Sequence, residues 1–304
     1  MGISLSAPGL RKKKSNVSLA AKDDNDAETI ENKYYLPSKI EDIDRMQIQH
    51  FLYQHIWQCN FSSPIENMLN MGGYVIDIGD KIIFCSERCG PGTWVLEMAT
   101  EYPMTCFTGV DIVPTFPSQI MPRNVKFLKG NILRELPIED KFDFARLSLL
   151  GTSFNEKEWP RAIEQTIKLL KPGGWIEICE LDLLPNSMGP CFEKITTAFM
   201  GLLSKRGVNS RIVLKLDSLL AGSNSLSKVQ FDLRRITAGH RGGKPGILFA
   251  ENLAIYFKSV VVSHLQSFMN LSPEGYQKLW SNCEQEFEIC ETQVNIYRFW
   301  GRKS

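Results

Sequence analysis

The 304-residue chain is long enough to bury one large core, alone or with a helical annex. With 43% hydrophobic and 23% charged residues and a net charge of +1, it lacks the broad field that draws in nucleic acid or an anionic membrane. No run approaches the ~18 to 20 apolar residues of a membrane-spanning helix, and no apolar signal-peptide core follows the first basic residues.

Residues 1–33 read as a disordered arm with little to bury, and residues 34–304 as one domain with its core over 72–182. The arm carries a basic cluster, Arg11, Lys12, Lys13 and Lys14, which adds the nucleus to an otherwise cytoplasmic expectation. Residues 41–58 space Ile43, Met46, Phe51, Ile56 and Trp57 as an amphipathic helix, with His50 and His55 expected to pack. Strands are expected at 74–78, 106–112, 125–130, 142–147 and 175–181, and helices at 93–101 and 159–170. Short apolar strands separated by helices predict a parallel sheet covered on both faces, the doubly wound α/β class. Beyond Asp182 the rhythm changes, with helical insertions expected within 191–292. Residues 192–206 and 211–221 read as helices, 229–237 as a strand, and Gly239, Gly242, Gly243 and Gly246 as a glycine-rich loop. A helical stretch to about Thr292 and a strand at 294–300 complete the chain.

Eight scattered cysteines, Cys59, Cys85, Cys89, Cys106, Cys179, Cys191, Cys283 and Cys290, suit free thiols in a reducing compartment. Only Cys85 and Cys89 are close, and no second pair or nearby histidine completes a metal site, so no metal is expected.

Four segments carry chemistry. Val75-Ile76-Asp77-Ile78-Gly79 is a strand ending in an acid and a glycine, and Cys89-Gly90-Pro91-Gly92-Thr93-Trp94 is a glycine turn entering a helix. With residues 80–88 removed they join as a strand, a G-x-G-x-G turn and a helix N-terminus. Such a turn lets backbone approach a ligand and offers it unpaired N–H groups. Phe107-Thr108-Gly109-Val110-Asp111 ends in an acid that can accept both hydroxyls of a ribose, or can merely cap a turn. Asn131, after the strand at 125–130, can meet an adenine amino group or serve as a turn residue. Lys171-Pro172-Gly173-Gly174 stops a helix and turns sharply into the fifth strand.

In this order the four segments resemble the motifs of class I S-adenosylmethionine-dependent methyltransferases. Asp44-Arg45, Gln49-His50, Asn60-Phe61-Ser62-Ser63-Pro64 and Glu158-Trp159-Pro160 further resemble fungal methyltransferase-domain proteins related to secondary-metabolism regulators. The resemblance implies a Rossmann-like seven-stranded, mostly parallel sheet with a reversed last strand and a helical insert on the acceptor side. It implies S-adenosyl-L-methionine as cofactor, held by Asp77, Gly79, Gly90, Gly92, Asp111 and Asn131. The methyl acceptor is a small molecule or a protein, and a regulatory protein partner is a further expectation.

Two departures stand out. Residues 80–88 interrupt the cofactor turn, and a second register is open in which Lys81 to Cys85 form the strand and Glu87 replaces Asp77. Phe144-Ala145-Arg146-Leu147-Ser148, expected to face the acceptor, stands where the family more often has a histidine or glutamine followed by arginine. General-base candidates are Glu180 and Asp182 at the end of the fifth strand and His240 in the glycine loop. Two other readings stay open: a degenerate fold kept as a binding or regulatory module, and a nicotinamide-dependent oxidoreductase, which would want G-x-G-x-x-G spacing.

Overall fold

Seven strands form one sheet in the order β3-β2-β1-β4-β5-β7-β6. They are β1 Tyr74–Ile78, β2 Cys106–Asp111, β3 Val125–Lys129, β4 Phe142–Ser148, β5 Leu170–Leu181, β6 Leu226–Thr237 and β7 Gln293–Lys303. The first five run parallel, and β7 is antiparallel to both β5 and β6, so the reversed last strand is present. The computed structural model describes residues 40–79, 92–112, 116 and 121–304, all within the unit Tyr35–Ser304. The arm at 1–33, the interruption at 80–88, Glu87, Cys85, Cys89 and Gly90 lie outside the described residues.

Around the strands run α1 Ile40–Trp57, α2 Glu66–Met71, α3 Thr93–Glu101, α4 Glu158–Leu169, α5 Pro190–Ser204, α6 Leu216–Ala221, α7 Gly243–Ile255, α8 Val262–Met269 and α9 Pro273–Ile289. Period-two burial divides the strand side chains between two cores. Ile76, Ile78, Ala145, Leu147, Ile176 and Ile178 face one side, where α4 contributes Trp159, Ala162, Ile163 and Ile167 at helical spacing. Val75, Phe107 and Phe144 face the other, where α3 contributes Trp94, Val95 and Met98. Asn155 and Glu158 start α4 reciprocally: the Asn155 amide oxygen accepts from the N–H of Lys157 and Glu158, and the Glu158 carboxylate accepts from the N–H of Asn155.

Three sequence expectations are corrected. The buried face of α1 is Arg45, Leu52, Tyr53 and Trp57, while Phe51 is 54% exposed and His55 points to solvent. The helical stretch after the glycine loop is three helices, because α7 widens into a π-helical turn at Tyr256–Val260 and then bends by 69° into α8. The fifth strand begins at Leu170: Gly173 takes φ +82°, and a side chain at Gly174 would strike the carbonyls of Lys171, Phe142 and Asp143 at about 3 Å. Among the described residues no single helix is long and apolar enough to cross a membrane.

Candidate functional site

The carboxyl edge of the parallel strands gathers Asp77, Gly79, Asp111, Glu180 and Asp182. Tyr74–Ile78, the strand of the first register, lies between β2 and β4. Just beyond it, the Gly79 N–H donates to the Val110 carbonyl at 2.9 Å, so Gly79 lies beside the end of β2. Asp111 closes β2, fully buried, and its carbonyl accepts from the N–H of Gly130. Gly92 adopts the left-handed conformation at φ +69° and leads into α3 without a side-chain cap. A Cβ on Gly92 would lie 2.5 Å from the Phe127 ring of β3, so only glycine lets the start of α3 sit this close. Asn131 makes a turn of its own, its amide oxygen accepting from the N–H of Leu133 at 2.8 Å.

Asp77 has another partner. Its carboxylate receives a 2.8 Å hydrogen bond from Arg146, whose guanidinium lies 4.6 Å from the Trp94 ring and also donates to Ser148. Burial pushes the Asp77 carboxyl up, against the opposing pull of Arg146. Arg146 therefore turns to the α3 face, between Asp77 and Trp94.

The Asp77–Arg146 pair belongs to a buried charged row that sequence reasoning missed. Asp77, Arg146 and Glu177 stand abreast on β1, β4 and β5, and Arg298 follows on β7, two pairs further along. The Glu177 carboxylate accepts 2.8 Å hydrogen bonds from the N–H of Ser62 and Ser63 and from the Ser63 hydroxyl, and lies 3.8 Å from Arg298. Arg298 donates to the Cys59 carbonyl at 3.0 Å and lies 4.6 Å from the Trp57 ring. The row thus holds the segment that follows α1 against the sheet. Farther up α1, His50 and Gln54 both engage Glu97 of α3, and burial lowers the His50 pKa.

Beyond β4 and β5 a cavity of about 100 Å³ opens. Its polar floor includes Glu180, 2% exposed, whose carboxylate accepts from the backbone N–H of Leu150 and Gly151; burial pushes it up to about 8. Asp182 lies at the same end, accepting from the N–H of Leu184 and ion-paired with Arg211 at 3.2 Å. The aromatic wall is Phe192 and Phe199 of α5, Phe249 of α7, and Tyr256 and Phe257 of its π turn. Arg45 and Gln49 of α1 complete it, and Asn252 of α7 donates to the Arg45 carbonyl at 2.8 Å. His240 is not brought here. It is exposed, pairs with Glu288 of α9 at 2.7 Å, and lines a separate depression. Its glycine loop is structural: side chains at Gly242 or Gly246 would meet the Thr237 carbonyl within 2.4 Å.

A strand order ending 5-7-6 around an antiparallel strand differs from the 3-2-1-4-5-6 order of dinucleotide-binding sheets, which sets the oxidoreductase reading aside. Residues 88–174, from the far end of the interruption to the turn before Trp175, match the family model of a methyltransferase domain. The chain is similar to the methyltransferase pytC of Aspergillus terreus, 30% identical over 149 residues, 48% of this chain and 41% of the relative. It is also similar to the secondary metabolism regulator laeA of Aspergillus fumigatus, 28% identical over 155 residues, 50% of this chain and 38% of the relative. The aligned segments thus span less than half the length of these two relatives. Among solved structures, the Haemonchus contortus phosphoethanolamine N-methyltransferase 2 in complex with phosphomonomethylethanolamine and S-adenosylhomocysteine aligns over 85% of this chain and 57% of its own. That alignment has a TM-score of 0.46 at 16% identity.

Proposed function

We propose that this chain is an S-adenosylmethionine-dependent methyltransferase. In this reading the cofactor lies on the edge formed by β1, β2 and β3, and the acceptor enters the cavity beyond β4 and β5. The observation that carries the reading is the buried Asp111 carboxylate at the end of β2, beside Gly79 and close to the uncapped start of α3. This donor set suits the group: a carboxylate accepts both hydroxyls of a ribose, Asn131 has a second lone pair and an amide N–H for adenine, and a helix start offers N–H groups. Gly90 completes the proposed set. Bound S-adenosylmethionine supplies an electrophilic methyl group. The protein's part is to hold the acceptor in line, exclude water and take up its proton.

In this reading Glu180 takes up that proton. It lines the acceptor cavity and, with a pKa of about 8, releases and regains a proton near neutral pH. Asp182 is bound to Arg211 and to backbone, which favours a structural role.

A second reading, a binding or regulatory module, draws support from Asp77 being engaged by Arg146, from the interruption at 80–88, and from the similarity to laeA regulators. Calorimetric titration with S-adenosylmethionine separates the two. Submillimolar binding supports the enzyme, and a folded chain that binds none supports the module.

A further inference from the structure

We propose that the cavity beyond β4 and β5 takes the ring of a neutral, small-molecule phenol, and that the hydroxyls of Thr152 and Thr196 select it. This inference rests on the methyltransferase reading only for calling the phenol an acceptor. The binding site itself stands on the geometry.

Thr152, on the loop after β4, is 6% exposed, and Thr196, on α5, is 2% exposed. Among the described residues neither hydroxyl has a hydrogen-bond partner, and both threonines line this one cavity. A buried hydroxyl left unpaired is costly, and native interiors avoid it. Two such threonines lining one cavity point to a ligand that supplies the missing partners. A hydroxyl can both donate and accept, so it can satisfy either threonine.

The remaining walls set the class. Five aromatic side chains, Phe192, Phe199, Phe249, Tyr256 and Phe257, offer ring edges and faces to a planar apolar group. The π-helical turn at Tyr256–Val260 is what carries Tyr256 and Phe257 to this wall, and such turns recur at functional sites. At about 100 Å³ the space is of the order of a ~150 Å³ apolar cavity that accepts benzene, so it fits one ring and excludes a fused system. Charge argues against an ammonium acceptor. Asp182 is matched by Arg211 and the Leu184 amide, and Glu180 by backbone amides, so neither carboxylate of this wall is left for an ammonium group. A tyrosyl side chain carries the same chemistry, but a polypeptide would have to pass α1, which Asn252 ties to α7 through the Arg45 carbonyl.

Ligand-observed NMR on the full chain tests this with phenol, toluene, benzylamine and a capped tyrosine peptide, without cofactor. Phenol is expected to bind at least tenfold more tightly than toluene, benzylamine or the peptide. Thr152→Val and Thr196→Val, close in shape but lacking the hydroxyl, should each weaken phenol binding about five- to thirtyfold and leave toluene unchanged. Both variants should melt at or above the temperature of the parent, because each removes an unpaired buried hydroxyl. Equal binding of phenol and toluene, preference for benzylamine or the peptide, or a lower melting temperature in both variants overturns the proposal. Titration with S-adenosylmethionine in parallel keeps the two readings apart: phenol binding without cofactor binding defeats the proposed function alone, and cofactor binding without phenol binding defeats this inference alone.

Discussion

Glu177→Ala is the sharpest probe of how the sheet holds its covering segment. The Glu177 carboxylate is fully buried, accepts three hydrogen bonds from Ser62 and Ser63, and lies 3.8 Å from Arg298. Each charge-assisted hydrogen bond is worth about 1.5 to 3 kcal/mol, and breaking a buried ion pair from one side costs about 3 to 5 kcal/mol. These contributions overlap, since the same oxygens serve all of them, so a loss of about 4 kcal/mol is expected. Against a total stability of about 5 to 15 kcal/mol that is severe. Urea unfolding followed by tryptophan fluorescence reads it, as a midpoint lowered by about 1 to 2 M at unchanged slope. The double variant Glu177→Ala, Arg298→Met should be less destabilised than the two single losses summed, by about 1 kcal/mol or more, because the stranded guanidinium is gone. A single-variant loss under about 1 kcal/mol, or strict additivity, would refute the row as the anchor of the segment after α1.

Glu180→Gln should flatten the pH dependence of stability. Glu180 has an ordinary value of 4.5 and is raised to about 8 in the fold, so between those values the folded chain keeps a proton that the unfolded chain has released. Stability therefore falls as pH rises through that window, by up to about 1.4 kcal/mol per unit from this one group. Urea unfolding near pH 5, 6.5 and 8 should show a shallower fall in the variant, and an identical slope would remove Glu180 as its source. Deleting residues 80–88 should strengthen S-adenosylmethionine binding, since the loop no longer orders nine extra residues. The fold should survive, because closing a loop of this size changes stability by only about 1 kcal/mol. A folded deletion variant that binds more weakly would show that the insertion serves the site. Removing residues 1–33 should leave the melting temperature within a degree, and a drop of several degrees would show that the arm packs on the domain.

The sheet was legible because each central strand is an apolar run flanked by turn residues, as in Val75-Ile76-Asp77-Ile78 and Trp175-Ile176-Glu177-Ile178. The carboxyl edge followed, since strand-terminal Asp111 and the glycines fall where a parallel sheet ends. The charged row left a trace that went unread: Asp77, Arg146, Glu177 and Arg298 each interrupt an apolar strand. Only the pairing register, a long-range property, sets them side by side. The face of α1 was misjudged because Arg45 and Tyr53 are buried through polar partners while Phe51 is exposed, against simple hydrophobic periodicity. His240 attracted notice for its glycines, but those serve a close approach to the Thr237 carbonyl, which spacing alone cannot distinguish from a ligand loop. Thr152 and Thr196 lie 44 positions apart, and nothing local marks either as part of a cavity.

The central claim is that the edge of β1, β2 and β3 holds S-adenosylmethionine through Asp111. Side-by-side calorimetric titration of the parent chain and Asp111→Ala tests it most directly. The account predicts one submillimolar site in the parent and affinity at least tenfold weaker in a folded variant, the loss of a charged hydrogen bond worth about 1.5 to 3 kcal/mol. Equal affinity in the folded variant would take Asp111 out of the site, and a folded parent that binds no S-adenosylmethionine would contradict the account itself.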